Sequence, residues 1–273
     1  MRRVAVEGGK RGGVRRPALW LGAPAALLAL VVGQAWMTAR EEYLPRPPYE
    51  VAHTVTPDGE VRAGADTGQV RLAVLGDSTV EGIGSPTAEG ALPVLVASRV
   101  AEALDRTVGV VGLGVSGART RDVQHDQAPR LAGGEWDVVL VVVGSNDVTH
   151  AHAPWRMAET TRRMLEEVEA ASRAPVVLGG IPEFHTVPAV PRPLRWLLGW
   201  QADLLRARQA AAARDVGVRF VDIRAEASPR FLGRPESMSA DGFHPSDLGY
   251  GLWADALAPQ VADAVAAGDT APE

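Results

Sequence analysis

The stretch VRLAVLGDST, residues 70–79, decides the fold of this chain. Its first six residues are almost all apolar, which is typical of a strand that is buried on both faces of a parallel sheet. Gly76, Asp77 and Ser78 then end the strand and favour the start of a helix. Polar residues at the carboxyl end of such a strand stand where open α/β sheets form their binding sites.

Four further apolar runs follow along the chain, and helical patterns separate them. The predicted strands are residues 70–75, 108–111, 138–143, 176–179 and 218–221. The predicted helices are residues 92–104, 158–172, 195–214 and 248–266. Strands that alternate with helices predict a three-layer α/β/α, flavodoxin-like fold around a five-stranded parallel sheet.

The N-terminal region is predicted to meet a membrane. Residues 1–16 hold six basic residues and one acidic residue, whereas residues 17–39 hold no charge and are about long enough to span a bilayer. The positive-inside rule then predicts a cytoplasmic segment 1–16, a transmembrane signal anchor 17–39 and an extracellular remainder at the cell membrane. A cleaved signal peptide, which would release the protein, stays open as the alternative.

The rest of the chain is predicted to be a linker and one folded domain. Residues 40–69 are rich in proline and glycine, lack a sustained periodicity and are predicted to be a juxtamembrane linker. Residues 70–267 form the predicted domain, and residues 268–273 form a C-terminal tail. A chain of 273 residues that is 46% hydrophobic can bury one substantial core.

Charge and cysteine content exclude several functional classes. The net charge is -5, and because residues 1–16 carry +5, the remainder carries -10. So acidic a chain repels a phosphate backbone, which excludes nucleic acid as a partner. The absence of cysteine excludes disulfides, thiol nucleophiles and cysteine-ligated metals.

Three polar blocks carry residues suited to nucleophilic chemistry. A serine such as Ser78 becomes a nucleophile when a base takes its proton and donors receive the oxyanion. The amide of Asn146, in GSND at 144–147, can donate to an oxyanion without carrying charge. Asp241 precedes His244 by three residues, near enough to orient the imidazole as a general base. Taken singly, each block is also an ordinary helix cap or turn.

In their joint order these blocks resemble the SGNH (GDSL-like) hydrolases, which are named after serine, glycine, asparagine and histidine in separate blocks. The matching residues are Ser78 in GDS, Gly117 in GLGVSG at 112–117, Asn146, Asp241 and His244. The resemblance covers residues 70–266. It implies that Ser78 is the nucleophile, His244 the general base and Asp241 its orienting acid. It also implies that the oxyanion donors are the backbone amides of Ser78 and Gly117 with the Asn146 side chain.

The resemblance further implies cofactor-free, serine-dependent hydrolysis of lipid, acyl or acetyl esters, with a small-molecule, lipid or cell-envelope ester as substrate. We expect His150, shortly after Asn146, and Phe184 and His185, after the fourth strand, to line the substrate cleft. Residues 194–200 contain two tryptophans. We expect this segment to form an apolar wall for an acyl chain, to touch the membrane or to pack inward as a helix, and inward packing is favoured. No pattern specifies an oligomeric state.

The same sequence allows three rival interpretations. GLGVSG matches a dinucleotide fingerprint, but Asp137, at the expected spacing, begins a strand rather than ending one. His150 and His152 with Asp147 suggest a metal site, but histidines two apart on a loop more often face solvent, so no metal is predicted. A non-catalytic, membrane-anchored binding module with an SGNH-like fold stays the alternative, because a fold does not establish a function.

Overall fold

The computed structural model describes residues 18–38, 44–65 and 67–270. The chain divides into two compact units, Met1–Glu41 and Glu42–Glu273. The predicted basic segment, residues 1–16, lies outside the described residues.

The described residues of the first unit form the helix α1 (Ala18–Thr38). The sequence predicted a membrane-spanning segment at residues 17–39. Within the described ranges, no helix combines the length and the apolar character that a membrane crossing requires. Gly33 and Gln34 interrupt the apolar residues in the second half of α1. The transmembrane part of the predicted architecture therefore has no support from the structure.

The second unit is built around one sheet. Its strands are β1 (Ala52–Val55), β2 (Val61–Ala63), β3 (Val70–Gly76), β4 (Val108–Gly112), β5 (Val138–Val142), β6 (Val176–Gly179) and β7 (Arg219–Val221). Their order across the sheet is β2-β1-β4-β3-β5-β6-β7. Strands β3 to β7 pair in parallel, whereas β1 pairs antiparallel with both β2 and β4. The five predicted parallel strands are present, and the complete sheet is mixed and has seven strands.

Helices cover both faces of this sheet. They are α2 (Ser78–Glu81), α3 (Leu92–Leu104), α4 (Thr120–Asp122), α5 (Ser145–Thr149), α6 (Pro154–Ser172), α7 (Leu194–Val216), α8 (Ile223–Glu226) and α9 (Asp247–Asp269). One buried cluster joins α3 and α9 to one face, and a second joins α6 and α7 to the other. The result is the predicted three-layer α/β/α arrangement. Helix α9 continues to Asp269 and so includes the first residues of the predicted tail.

The segment predicted as a linker, residues 40–69, contains the hairpin formed by β1 and β2. Val55 of β1 is fully buried, and its strand pairs with β4 over residues Ala52 to Val55. The strands have only four and three residues, and their stability comes from pairing with a strand far along the chain. Local periodicity is too short there to reveal them, so the linker prediction is wrong for this segment.

The prediction that residues 194–200 pack inward is also wrong in part. The buried face of α7 includes Leu194, Ala202, Leu205, Gln209 and Ala213. Trp196, Leu197 and Trp200 lie instead on the exposed face. The longer helix has enough small and apolar residues to cover the sheet without these tryptophans.

The topology brings the motif blocks together. Strand β3 lies between β4 and β5 and runs parallel to both. The loops after these three strands therefore leave the sheet side by side at its carboxyl edge. They carry Ser78, Gly117 and Asn146. Helix α9 follows the loop with Asp241 and His244, and buried Tyr250 of α9 donates a hydrogen bond to the carbonyl of Ile83, just beyond α2.

Candidate active site

Ser78 stands at the start of α2, directly after β3. Asp77 is the N-cap of this helix, and its Oδ1 accepts hydrogen bonds from the Thr79 backbone N–H (3.0 Å) and the Thr79 hydroxyl (2.9 Å). Burial raises the pKa of Asp77, although the hydrogen bonds from Thr79 oppose this effect. A side chain at Gly76 would collide with the carbonyl of Val142 on β5, so glycine is required for this close turn.

A chain of hydrogen bonds links Ser78 to a carboxylate. The Nε2 atom of His244 is 2.9 Å from the Ser78 Oγ, and the Nδ1 atom of His244 is 2.7 Å from the Asp241 Oδ2. His244 is only 5% exposed. The imidazole thus lies between a serine hydroxyl and a carboxylate with both of its ring nitrogens engaged, which is the arrangement of a serine, its base and an orienting acid.

The local fold of residues 239–245 fixes the charge of Asp241. Its Oδ1 accepts hydrogen bonds from the backbone N–H groups of Phe243 (2.8 Å) and His244 (2.9 Å) and from the Ser239 hydroxyl (2.8 Å). Burial by itself raises the pKa of this carboxyl. The hydrogen bonds from His244, Phe243 and Ser239 outweigh burial and hold the pKa of Asp241 well below its ordinary value. Asp241 is therefore an anion that can stabilise an imidazolium.

The loop that carries Gly117 is fastened to the turn that carries Ser78. The Val115 N–H donates to the carbonyl of Gly76 (3.1 Å), and the Ser116 N–H donates to the Glu81 carboxylate (2.6 Å). Gly117 adopts a φ of 83°, a conformation that favours glycine. Glu81 was not singled out from the sequence, because its role depends on a loop 35 residues away.

Asn146 is also hydrogen-bonded to this loop. It lies in the first turn of α5, and its Nδ2 donates a hydrogen bond to the Ala118 carbonyl (3.1 Å). A side-chain amide carries two N–H donors, so Asn146 can hold the loop with one donor and offer the other to a ligand. Asn146 borders the same cavity as Ser78 and His244.

Asp147, the next residue, is buried and has a different set of partners. Its Oδ2 accepts from the Thr120 N–H (2.9 Å) and hydroxyl (2.9 Å), and its Oδ1 lies 3.4 Å from the Nδ1 of His152. Burial raises the pKa of Asp147, and the hydrogen bonds from Thr120 oppose the effect only in part. Asp147 and His152, which the sequence suggested as metal ligands together with His150, thus contact each other instead. Among the described residues, no group of three or more histidine, aspartate or glutamate side chains could hold a metal ion.

A cavity of about 320 Å³ opens beside Ser78 and His244. Most of its wall is apolar, and the large apolar side chains that contribute to it are Phe184, Val187, Phe231, Leu232, Met238, Phe243 and Trp253. Phe243 packs edge-on against the rings of Phe184 and His244, with centroid distances of 6.3 and 5.2 Å. The cavity therefore presents an apolar surface next to the serine hydroxyl.

Of the residues predicted to line the cleft, Phe184 borders this cavity, whereas His150 and His185 do not. The Nδ1 of His150 is 2.9 Å from the Asn146 carbonyl oxygen, and the side chain is exposed. The ring of His185 packs beside Gly199 of α7, and its Nε2 is 3.3 Å from the Asp203 carboxylate. The prediction is corrected for both histidines, because their rings are held by other partners.

Residues 228–238 were missed as part of the cavity. They supply Phe231, Leu232 and Met238, and short helical turns at Ser228–Phe231 and Pro235–Ser237 shape the segment. The available signal was a cluster of aromatic and apolar residues among prolines just before Asp241. Such a segment has no helix or strand periodicity, so its place in the wall of the cavity beside Ser78 is visible only in the folded structure.

Comparison with known proteins finds a matching family and a related sequence. A sequence model of the GDSL-like lipase/acylhydrolase family matches residues 74–252. A GDSL-like esterase from Mycobacterium tuberculosis is 32% identical over 203 residues, which cover 72% of this chain and 63% of that protein. The chain thus spans less than two thirds of the length of this curated relative.

Solved structures with the same fold include two from bacteria. Phospholipase A1 from Streptomyces albidoflavus has a TM-score of 0.55 and 22% identity, covering 71% of this chain and 99% of that chain. An acetylxylan esterase from Geobacillus stearothermophilus has a TM-score of 0.52 and 21% identity, covering 71% and 94%. Because the family model spans more than half of the chain and all five motif residues, this protein belongs to the GDSL-like lipase/acylhydrolase family of ester hydrolases.

Proposed function

We propose that this chain hydrolyses carboxylic esters through an acyl-enzyme formed on Ser78. The observation that carries the proposal is the hydrogen-bond chain from Asp241 through His244 to the Ser78 Oγ, with distances of 2.7 and 2.9 Å. Because Asp241 accepts three further hydrogen bonds, its carboxylate is fixed before a substrate arrives. A base held in this way needs little reorganisation to accept the serine proton.

The first half of the reaction forms the acyl-enzyme. The Ser78 Oγ attacks the ester carbonyl carbon while the Nε2 of His244 takes its proton. The oxyanion that develops accepts hydrogen bonds from the Ser78 and Gly117 amides and the second N–H of Asn146. The tetrahedral intermediate then collapses, and the imidazolium of His244 returns the proton to the departing alcohol.

The second half releases the acid. A water molecule attacks the acyl carbonyl while His244 again takes a proton, and the same donors stabilise the second oxyanion. Collapse of this intermediate breaks the bond to the Ser78 Oγ, and the proton on His244 passes to that oxygen. The free carboxylic acid leaves, and the enzyme returns to its starting state with no cofactor involved.

The cavity supports a short or medium acyl group as the preferred substrate. Its volume of about 320 Å³ lies at the small end of the range of about 300–1,000 Å³ typical of ligand sites. Phe231, Met238 and Trp253 give it an apolar wall, which suits a hydrocarbon chain rather than a sugar. We therefore propose that acyl esters of a few carbons are hydrolysed faster than long-chain esters.

Kinetics with p-nitrophenyl acetate, butyrate and palmitate test the proposal. The full chain should hydrolyse butyrate well and palmitate poorly, and Ser78→Ala should reduce kcat/KM by on the order of 10⁵-fold. Ser145→Ala is the matched control, because Ser145 also borders the cavity but makes no hydrogen bond to His244 among the contacts of the described residues. Equal activity of the wild type and Ser78→Ala would overturn the proposal.

A further inference from the structure

The exposed face of α7 carries an aromatic stripe with arginines at both ends. Arg192, Trp196, Trp200, Leu204 and Arg208 follow one another at intervals of four residues, which places the helical members on one side of the helix. Trp196 is 50% exposed, Trp200 64% and Leu204 54%. We call these five residues the tryptophan stripe. A contiguous exposed apolar surface of this kind marks an interaction site rather than ordinary surface.

The side chains of the tryptophan stripe offer hydrogen-bond donors and positive charge but no acceptors. Tryptophan and arginine side chains carry hydrogen-bond donors and no acceptors, and leucine carries neither. Residues 192–208 contain four arginines and a single acidic residue, Asp203. The Asp203 carboxylate is paired with Arg206 and Arg224. The surface that covers the stripe must therefore be apolar, rich in acceptors and negatively charged.

The headgroup region of an anionic bilayer has these three properties together. Indole rings partition to this depth because one part of the ring is apolar and the N–H finds an acceptor. Arginine pairs with phosphate oxygens, and the arginine stem covers apolar surface. The guanidinium of Arg192 already lies 5.6 Å from the centre of the Trp196 ring, so that cation and indole present one joint surface.

The tryptophan stripe is connected to the wall of the active-site cavity. Arg195, in the first turn of α7, donates hydrogen bonds to the carbonyls of Val190 (2.6 Å) and Pro188 (3.1 Å), and Pro188 borders the cavity. Further along α7, Gln201 donates to the carbonyl of His152. Three residues beyond His152, Trp155 is 78% exposed. A surface that touched the stripe would thus stand near the cavity wall.

We propose that the tryptophan stripe docks the folded unit onto the headgroup region of an anionic lipid bilayer. This proposal is independent of the chemistry at Ser78, since its test needs no turnover. Residues 17–273 carry a net charge of -10, so electrostatic repulsion by anionic lipid would disfavour other orientations of the folded unit. A second copy of the chain and a protein partner are the competing occupants.

A site-specific probe distinguishes docking through the stripe from binding through the apolar helix α1. The chain has no cysteine, so Leu204→Cys in the full chain can be labelled with an NBD fluorophore at this position alone. With vesicles of phosphatidylglycerol and phosphatidylcholine, the probe should shift to the blue and be quenched by doxyl-labelled lipid. The matched control is Leu248→Cys on α9, which is also exposed and should not respond.

Variants of the stripe complete the test. Trp196→Ser with Trp200→Ser should weaken vesicle binding at the stripe on the order of tenfold or more, because interfacial affinity scales with the apolar area inserted. Arg208→Gln should weaken binding to the anionic vesicles about fivefold. Hydrolysis of soluble p-nitrophenyl acetate should not change.

A silent probe at position 204 while the protein sediments with vesicles, or equal responses at 204 and 248, would overturn the proposal. A shift without vesicles that accompanies dimer formation would overturn it in favour of a second copy.

Discussion

Two aspartate–histidine pairs, Asp241 with His244 and Asp147 with His152, differ in what the histidine meets on its far side. In one, Asp241 and His244 are 2.7 Å apart, and the far nitrogen of the imidazole meets the Ser78 Oγ. In the other, Asp147 and His152 are 3.4 Å apart, and the far nitrogen of His152 is buried with no hydrogen-bond partner among the described residues. Only the first pair reaches a serine hydroxyl, the nucleophile of the proposed reaction.

The difference shows what keeps a buried carboxylate charged. Asp241 accepts from two backbone amides, a hydroxyl and an imidazole, and these hydrogen bonds lower its pKa despite burial. Asp147 accepts from the amide and hydroxyl of Thr120, but burial outweighs these hydrogen bonds, so that its pKa is raised. Burial alone therefore does not decide the charge of a carboxylate. The balance between burial and the hydrogen-bond donors aimed at the carboxylate decides it.

The largest expected effect is a difference in activity between variants of the two histidines, His244 and His152. His244→Ala should lower kcat/KM for p-nitrophenyl butyrate on the order of 10⁵-fold, because the Ser78 proton loses its acceptor. His152→Ala should lower it less than about tenfold, because His152 supports Asp147 and contacts no reacting atom. Steady-state kinetics on both purified variants measure the contrast. Similar losses in the two variants would remove the functional distinction between the pairs.

The next largest effect is a difference between variants of the two carboxylates, Asp241 and Asp147. Asp241→Asn should reduce kcat about 10⁴-fold with little change in KM, since the amide favours the wrong tautomer of His244 and cannot balance an imidazolium. Asp147→Asn keeps its shape and should cost less than about tenfold, because Asn can still accept from Thr120. The kcat and KM values of both variants test this prediction. A larger loss for Asp147→Asn than for Asp241→Asn would contradict it.

Asn146 directly precedes Asp147 of the second pair and is the expected oxyanion donor of the proposed reaction. Asn146→Ala removes both the expected oxyanion donor and the hydrogen bond to the Ala118 carbonyl, and it should lower kcat about 10²–10³-fold. Asn146→Asp keeps the size but replaces the donor with an anion, so it should be at least as harmful. Full activity of Asn146→Asp would exclude the side-chain amide as an oxyanion donor.

The smallest effect concerns stability, and the two carboxylates should have opposite signs. The pKa of Asp241 is lower in the folded protein than its ordinary value of 3.8, so its contribution to stability is complete above that value and is lost as the pH falls. The pKa of Asp147 is raised, so its contribution is complete below 3.8 and is lost as the pH rises through the folded pKa. Each unit of displacement corresponds to about 1.4 kcal/mol.

Urea unfolding between about pH 3 and pH 7 measures these slopes. Relative to wild type, Asp241→Asn should lose stability as the pH rises, whereas Asp147→Asn should gain it. Slopes of the same sign in the two variants would show that the environments of the carboxylates do not differ as described.

The sequence predicted the central layers of the fold well, because apolar runs and helix periodicity extend over many residues there. Helix α3 and strand β6 have the predicted bounds, and β3 extends one residue beyond its predicted end. The hairpin of β1 and β2 was missed because its short strands depend on pairing with β4, which local sequence does not encode. The exposure of Trp196 and Trp200 was missed because composition does not say which face of α7 meets the sheet.

For the candidate site, motif order identified Ser78, Gly117, Asn146, Asp241 and His244, but it gave no distances. His150 and His185 were expected at the cleft from their positions near strand ends, and other partners hold their rings elsewhere. Glu81 and Ser239 were not foreseen, since each acts by holding a backbone amide or a carboxylate that only the folded loops bring near. Motif order thus identifies the members of the hydrogen-bonded constellation around Ser78 better than the residues that position them.

The most direct test of the central claim is to map the adduct that a fluorophosphonate forms with the full chain. We predict a single phosphonyl group on Ser78, found by peptide mass spectrometry, that forms at the normal rate in His152→Ala and at least about 10³-fold more slowly in His244→Ala. An adduct on another residue, or labelling that is equally fast in both histidine variants, would contradict the account.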